Sequence, residues 1–349
     1  MALAAMTSSR RTSRPTLSDI ARALDLSEAT VSRALRGSPI ISEQTRTDVA
    51  RVARELGYVP NAAARSLARQ ASHTLGLLVP DVTDPVHGMI VAGFGQAAAA
   101  AGYTVLMLDG VREDRRRASA LRTLREHQAQ GVAFCSAPVS PEEAAEALRP
   151  AHAVFVLPEW TGADAEDRPL GRIRADDAVG IHLLVEHLLA TGRQRFSYVN
   201  GPDIASNRLR RGSILRALEA QHVEPRIREF SASLDRAEID AVARLAARER
   251  PDVLMCYDDK LALHLLDALR NVGLRVPQDV AVTGFDGIPF AAVANPRLTT
   301  IEQPAEQMGA RAAEALIAAI ESGAPPQDQL LPVRLAVRES SLSGRAGNG

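Results

Sequence analysis

The sequence predicts a chain of the α/β class: a small all-helical N-terminal module, then a doubly wound parallel α/β body built as two lobes. Three observations predict it. Residues 16–67 hold short amphipathic stretches separated by a tight break; strand-like and helical stretches then alternate in two rounds, at about 74–158 and 172–288; and charge is divided unevenly between the two parts. A length of 349 residues accommodates a small head and two lobes of roughly 120–140 residues each.

The first helix is read from Leu17, Ile20, Ala21 and Leu24, an i, i+3, i+4, i+7 apolar stripe. Thr16, with Asp19 three residues on, forms an approximate capping box at its start. Asp25-Leu26 is a tight break, and Ser27 is placed to cap a second helix. That helix is expected to bury Val31, Ala34 and Leu35 and to turn Glu28, Ala29, Ser32 and Arg33 outward. Two short helices joined by so brief a turn make a helix-turn-helix, whose second helix enters the major groove of DNA. A third helix after Ser42 is expected to bury Val49, Val52, Ala53 and Leu56 before Gly57 ends it.

Charge supports a nucleic-acid role for this module. Residues 1–70 hold 11 arginines against 6 carboxylates, a net +5, while the remainder carries −6. A basic head on an acidic body is the electrostatic pattern that phosphate contact requires. Asn61–Leu67 reads as a helix of one or two turns capped by Asn61. It is too short to stand alone, so its order should depend on partners, which suits a switch. Residues 68–72 are the linker to the body, and residues 1–15, rich in Ser, Thr and Arg, are expected to be a disordered arm.

In the body, strands are predicted at 74–80, 103–109, 131–135, 153–158, 195–201, 252–257 and 280–285, with helices at 89–101, 178–190, 211–220 and 260–272 among those between them. Such alternation argues for parallel sheets covered on both faces. Open α/β sheets bind ligands at the carboxyl ends of their strands, and two facing lobes put those ends on one cleft. Cleft candidates are therefore the polar residues just after strands: Asp81, Asp84, Asp109, Glu159, Trp160, Ser206, Arg208, Arg210, Asp258, Asp259 and Asp286.

The strings LSEATVSRAL, SPIISEQTR and ELGYVPNAAARSL resemble the head and hinge of LacI/GalR-type transcriptional regulators, and the likeness continues to roughly residue 340. The resemblance implies a periplasmic-binding-protein-like body and a homodimer on double-stranded operator DNA. It places Glu28 and Ala29 at the sequence-discriminating positions, where Glu accepts from a cytosine amine and Ala touches a thymine methyl. Arg33 falls on a base-contacting arginine. Thr30, Ser32 and Asn61 fall on phosphate-holding positions, and Thr16, Ser27 and Ala64 complete the DNA-contact set. Leu67 matches a leucine that wedges into the minor groove. Where the family often has Gly in the turn this chain has Asp25, a residue that tolerates left-handed geometry.

For the cleft, the resemblance points to Asp84 and His87 on the first lobe, Ser206 and Arg210 in SNRLRRGSI, Asp258 in CYDDKLAL, Asp286 in GFDGIPFA, and Gln303 on the crossover back. Val86 and His87 stand where the family often has aromatic residues; Trp160, the single tryptophan, would supply stacking instead. Paired carboxylates with a guanidinium suit polyols, so the expected effector is a sugar, with a nucleoside or small acid as alternatives.

The implied domains are a head at 16–60, hinge and linker at 61–72, a body at 73–343 and a tail at 344–349. Lobe 1 is drawn at about 73–159 plus 290–325, and lobe 2 at about 160–289 plus 326–340. The reading is a cytoplasmic repressor, with an activator or a plain ligand-binding protein as alternatives, and with no cofactor, metal or membrane association. No catalytic constellation or metal spacing among the 8 histidines is evident, and no apolar run of membrane-spanning length occurs. GxGxxA at Gly93, Gly95 and Ala98 lies within a helical stretch and not at a strand-to-helix turn, so a dinucleotide site is not expected. Cys135 and Cys256 end apolar runs and read as buried thiols. The tail lacks a leucine heptad, so no tail-mediated tetramer is expected.

Overall fold

The computed structural model describes residues 15–58, 72–109, 113–149, 151–159, 171–221, 228–231 and 234–342. Residues 1–14 of the arm expected to be disordered, the hinge with Asn61, Ala64 and Leu67, Trp160, and the tail 344–349 therefore lie outside the described residues. The chain divides into two compact units, Met1–Ser72 and His73–Gly349.

In the first unit, α1 (Leu17–Leu24), α2 (Glu28–Leu35) and α3 (Glu43–Glu55) form a three-helix module. The capping box closes in both directions: the Asp19 amide donates to Thr16 Oγ1 at 3.3 Å, and the Thr16 amide donates to Asp19 Oδ2 at 2.9 Å. Asp25 ends α1 in the left-handed conformation (φ 53°, ψ 45°), as the turn requires. Ser27 and Ser42 cap α2 and α3, accepting from the Thr30 and Thr45 amides at 3.1 Å. Ile20, Ala21, Val31, Ala34, Val49, Val52 and Ala53 make the core. Leu35 is only partly buried, and Leu56 is 40% exposed, against expectation. The chain reverses at Gly57 (φ 67°), and Tyr58, whose amide donates to the Ala53 carbonyl, packs against the core in place of Leu56.

The second unit holds two six-stranded sheets. The first contains β1 (Thr74–Val79), β2 (Thr104–Asp109), β3 (Gly131–Cys135), β4 (His152–Val156), β5 (Arg172–Ala175) and β11 (Gln329–Leu331), in the order β11-β5-β4-β3-β1-β2. The second contains β6 (Phe196–Asn200), β7 (Arg228–Ser231), β8 (Val253–Cys256), β9 (Ala281–Asp286), β10 (Thr299–Glu302) and β12 (Arg334–Ala336), in the order β12-β10-β9-β8-β6-β7. All pairings are parallel except β10 with β12. Each sheet thus shows the same doubly wound order, with the crevice at the carboxyl ends of its strands.

Sheet membership moves the expected lobe boundaries. β5 belongs to the first sheet, β10 to the second and β11 to the first. The chain therefore changes lobe after β5, after β10 and after β11, and not near 160, 290 and 326. RIRA hides its strand character because Ile173 and Ala175 are buried while charged residues occupy the other face. TTIE and QLL are too short for a period to show.

The helices are α4 (Pro85–Ala100), α5 (Asp114–Glu126), α6 (Pro141–Leu148), α7 (Asp177–Ala190), α8 (Ala205–Ala220), α9 (Arg236–Glu249), α10 (Asp259–Asn271) and α11 (Ala305–Ser322). α4 begins four residues before its predicted start because Asp84 caps it and Pro85 fits the first turn. α8 likewise begins at Ala205, which brings Ser206 and Arg210 onto helix and not loop. No described helix is long and apolar enough to cross a membrane.

α4 and α11 cross at Gly93 and Gly309, where a Cβ would stand 1.9 Å from the Glu306 carbonyl oxygen and 2.0 Å from that of Ile90. The glycine of GxGxxA therefore serves helix packing. Gly309→Ala is expected to destabilise the body by about 1–3 kcal/mol, since overpacking outweighs the gain in helix propensity. Chemical denaturation of the variant checks this; wild-type stability would contradict the close crossing.

Candidate functional site

On the head, Glu28, Ala29 and Arg33 are exposed on α2, while Thr30 and Ser32 are half-buried. Ser27 and Thr30 are joined by a 2.8 Å hydroxyl hydrogen bond that fixes the first turn of the helix. Exposure of the α2 N-terminus, with Glu28 in its first turn and Arg33 in its last, gives the head a face able to meet base edges. Thr16 lies exposed at the start of α1.

In the body, a cavity of about 590 Å³ lies at the carboxyl ends of the strands of both sheets. Asp84, His87, Ser206, Arg210, Asp258, Asp286 and Gln303 all line it, as do Val86 and Glu159. Four other cleft candidates take different places. Asp81 holds its loop, accepting from the Thr83 amide and hydroxyl at 2.8 and 2.6 Å. Asp109 accepts from the Val82 amide, and Arg208 pairs with Asp203 on the surface. Asp259, the first residue of α10, accepts from the Gly287 and Ile288 amides and the Thr300 hydroxyl. It is a structural anchor, with burial pushing its carboxyl up to about 7.

Arg210 is the centre of the pocket floor and is only 3% exposed. Its Nε donates to Asp177 Oδ2 at 3.2 Å, Nη1 to the Tyr257 carbonyl at 2.8 Å, and Nη2 to Asp286 Oδ1 at 3.3 Å. The guanidinium carbon stands 3.7 Å from the Phe285 ring centroid and 4.9 Å from that of Tyr257. Planar stacking and fork geometry both favour Arg over Lys at such a site. Asp286 also accepts from Gln303 Nε2 at 2.6 Å. It sits at φ 116°, a conformation rare for a side-chain-bearing residue. Bonds on both sides hold it there: Gln303 N donates to the Asp286 carbonyl, and the Gly287 amide is bound by Asp259. Burial raises the Asp286 carboxyl well above its usual range against the pull of Arg210.

Asp258 caps α10, accepting from the Leu261 amide at 2.8 Å, and also faces the cavity. Burial raises its carboxyl. Ser206 Oγ and Tyr257 Oη are 2.9 Å apart. Across the cleft, the Lys260 ammonium of the second lobe donates to Asp84 Oδ2 of the first. His87 Nδ1 lies 2.9 Å from the Asp81 carbonyl oxygen, which fixes its ring against the first-lobe wall.

Among the lining residues that escaped the sequence reading are Tyr257, Lys260 and Glu238. Tyr257 ends a predicted strand, so its position at a strand tip was a usable signal. Lys260 is the single lysine of the chain. Glu238 reaches the cavity from the first turn of α9, and only the packing of that helix reveals it. No aromatic residue of the first lobe lines the described wall; the Tyr257 ring does so from the second.

A helix-turn-helix head joined to a two-lobed α/β body with a polar cleft defines a DNA-binding regulator that carries a ligand-sensing domain. Residues 16–61 match the bacterial regulatory proteins of the lacI family, and residues 185–341 match the periplasmic binding protein-like domain. The chain is similar to the HTH-type transcriptional regulator GalR of Salmonella typhimurium (31% identical, covering 96% of this chain and 98% of that protein). It is also similar to the ribose operon repressor of Halalkalibacterium halodurans (29% identical, covering 94% and 98%). Among solved structures, the Lac repressor dimer bound to operator and the anti-inducer ONPF superposes with a TM-score of 0.84, at 26% identity over 95% of this chain and 100% of that one. The chain belongs to the lacI family of transcriptional regulators, as its head and hinge motifs implied.

Proposed function

We propose that this protein is a cytoplasmic repressor, without enzymatic activity, that binds a pseudo-palindromic operator as a homodimer and releases it when a small polyol occupies the cleft. The observation that carries the reading is a single cavity lined by Asp84, His87, Ser206, Arg210, Asp258, Asp286 and Gln303, drawn from both lobes. Carboxylates accept from vicinal hydroxyls, the guanidinium and the Gln303 amide orient them, and Tyr257 offers an apolar face. A ligand touching both lobes has different contacts in their open and closed relations, which is the differential affinity any ligand-driven shift requires. The relative named the ribose operon repressor supports the class of ligand.

On DNA, Arg33 is assigned to a guanine edge, Glu28 to a cytosine amine and Ala29 to a thymine methyl, with Thr16, Ser27, Thr30, Ser32 and Asn61 on the backbone. Ala64 and Leu67 are assigned to the minor groove, Leu67 as a wedge. Fluorescence anisotropy with operator and scrambled duplexes tests both halves. Arg33→Ala should cost about 1–3 kcal/mol on operator and little on scrambled DNA; equal losses on the two would remove Arg33 from base reading. In the same assay, a panel of neutral sugars should contain one that releases operator. A panel without effect on either operator affinity or melting temperature would refute a sugar effector.

A further inference from the structure

We infer that Asp177, which is buried and does not line the cavity, is the positioning residue that carries effector contact from Arg210 to the first crossover between the lobes. Its carboxylate and that of Asp286 divide one guanidinium fork, and an effector that engages Asp286 shifts the fork onto Asp177. The inference rests on the effector reading of the cleft and adds how occupancy reaches the hinge.

Placement in the chain is the first observation. β5 ends at Ala175 and Asp177 opens α7, so it stands directly after the first crossover. The Asp176 amide donates to the Leu331 carbonyl at 3.0 Å, which ties that crossover to the third. Gln303 stands on the second crossover, between β10 and α11. Its amide donates to the Asp286 carbonyl at 3.1 Å, and its Nε2 donates to Asp286 Oδ1 at 2.6 Å. Arg210, on α8, bonds both Asp177 and Asp286. One buried side chain thus links two crossovers, through Asp177 on one side and through Asp286 and Gln303 on the other.

The second observation is a divided fork. An arginine fully paired with one carboxylate presents two parallel N–H donors to its two oxygens, at about 2.7–2.9 Å. Here Nε reaches Asp177 Oδ2 at 3.2 Å, while Nη2 reaches Asp286 Oδ1 at 3.3 Å. Asp177 is 6% exposed, and its Oδ1 has no donor. Gln303 Oε1, on the second crossover, also lacks one. Buried acceptors without donors are costly and rare. An effector hydroxyl donating to Asp286 competes with Nη2 for that carboxylate, and a small turn of the guanidinium brings Nη2 to Asp177 Oδ1. The fork then closes on Asp177, and the start of α7 is held to α8 by two bonds in place of one. Empty and occupied pockets thereby hold the first crossover differently, which is the two-state element a ligand-driven shift needs.

The test uses the full-length protein. Asp177→Asn keeps the shape and an acceptor but removes the charge that holds the fork. Asp176→Ala is its control: it removes the α7 cap, which accepts from the Val179 amide at 3.1 Å, and leaves Arg210 untouched. Hydrogen exchange at the Gln303 amide, read without ligand, should rise about tenfold in Asp177→Asn, the scale of one hydrogen bond to a charged group. It should stay at the wild-type value in Asp176→Ala, whose effect a purely local role for Asp177 would reproduce. Reciprocally, Gln303→Met should raise exchange at Val179 and Gly180, which keeps the test decisive if Asp177→Asn fails to fold. D-galactose, D-glucose and D-ribose are then titrated against operator complexes. Whichever releases wild type should still bind Asp177→Asn, read by thermal shift, yet lose most of a coupling that is ordinarily about 5–150-fold. Unchanged exchange at Gln303, an equal rise in Asp176→Ala, or undiminished operator release overturns the inference. Should none of these sugars act on wild type, the sugar reading fails, and the exchange comparison still decides whether Asp177 and Gln303 are joined through Arg210.

Discussion

Arg210→Ala should lose the effector response and, in addition, about 3–5 kcal/mol of stability, the cost of breaking a buried ion pair from one side. As a pocket residue seen in the sequence alone, Arg210 suggests a variant that binds operator normally and is deaf to ligand. Its surroundings say otherwise. The guanidinium joins the start of α7 through Asp177, the end of β8 through the Tyr257 carbonyl, and the end of β9 through Asp286, and packs against the Phe285 ring. Removing it leaves two buried carboxylates without a counter-charge. The loss should also depend on pH in a stated direction. Burial already raises the Asp177 and Asp286 carboxyls, with Arg210 opposing. A carboxyl whose folded pKa lies above its unfolded value stabilises the fold as pH falls and loses that contribution as pH rises through the folded pKa. Without Arg210 both are pushed further up, so the variant should recover more stability than wild type between pH 8 and pH 5. Urea unfolding across that range measures it. A deficit that is small, or that grows toward acid, would show that the pocket floor is not held by this cation.

The head was legible almost to the residue because its signals are local. Capping at Thr16, Ser27 and Ser42, the left-handed Asp25 and the stripe of Ile20, Ala21, Val31 and Ala34 all follow from spacing within a few positions. Leu56 failed because a periodic stripe says nothing of the reversal at Gly57, which brings Tyr58 to the core. In the body, central strands such as GVAFC and VLMC announce themselves by continuous apolar character, and both cysteines are buried at their ends. The crossovers did not, since β5, β10 and β11 have three or four residues each and take their lobe from pairing. The cleft was readable where a polar residue follows a strand. It was unreadable at Glu238, which comes from a helix start, and at Asp259, which looks identical to Asp258 in sequence but turns toward Thr300 and the Gly287 amide. Adjacent residues at a helix start face different directions, and only the packed neighbours decide which one meets the cavity.

Lys260 and Asp84 should prove energetically coupled across the cleft, and their neutralisation should loosen the relation of the two lobes. Asp84 caps α4 on the first lobe, while Lys260 stands in the first turn of α10 on the second, so their contact ties opposite walls. Each group shows the other's influence. Burial pushes the Asp84 carboxyl up, yet the Lys260 hydrogen bond and nearby positive charge bring it below its usual value; burial pulls the lysine down, yet Asp84 holds it above. The lysine side chain is 29% exposed, so solvent weakens the pair and a coupling of about 1–2 kcal/mol is the reasonable scale. Asp84→Asn retains the helix cap and removes only the charge, while Lys260→Met retains the stem. A double-mutant cycle in urea unfolding should therefore give losses that fail to add, and raising salt should weaken wild type more than either variant. Small-angle scattering should show the ligand-free variants more open than wild type. Strict additivity in the cycle, together with scattering indistinguishable from wild type, would reduce the contact to a surface ion pair with no part in the switch.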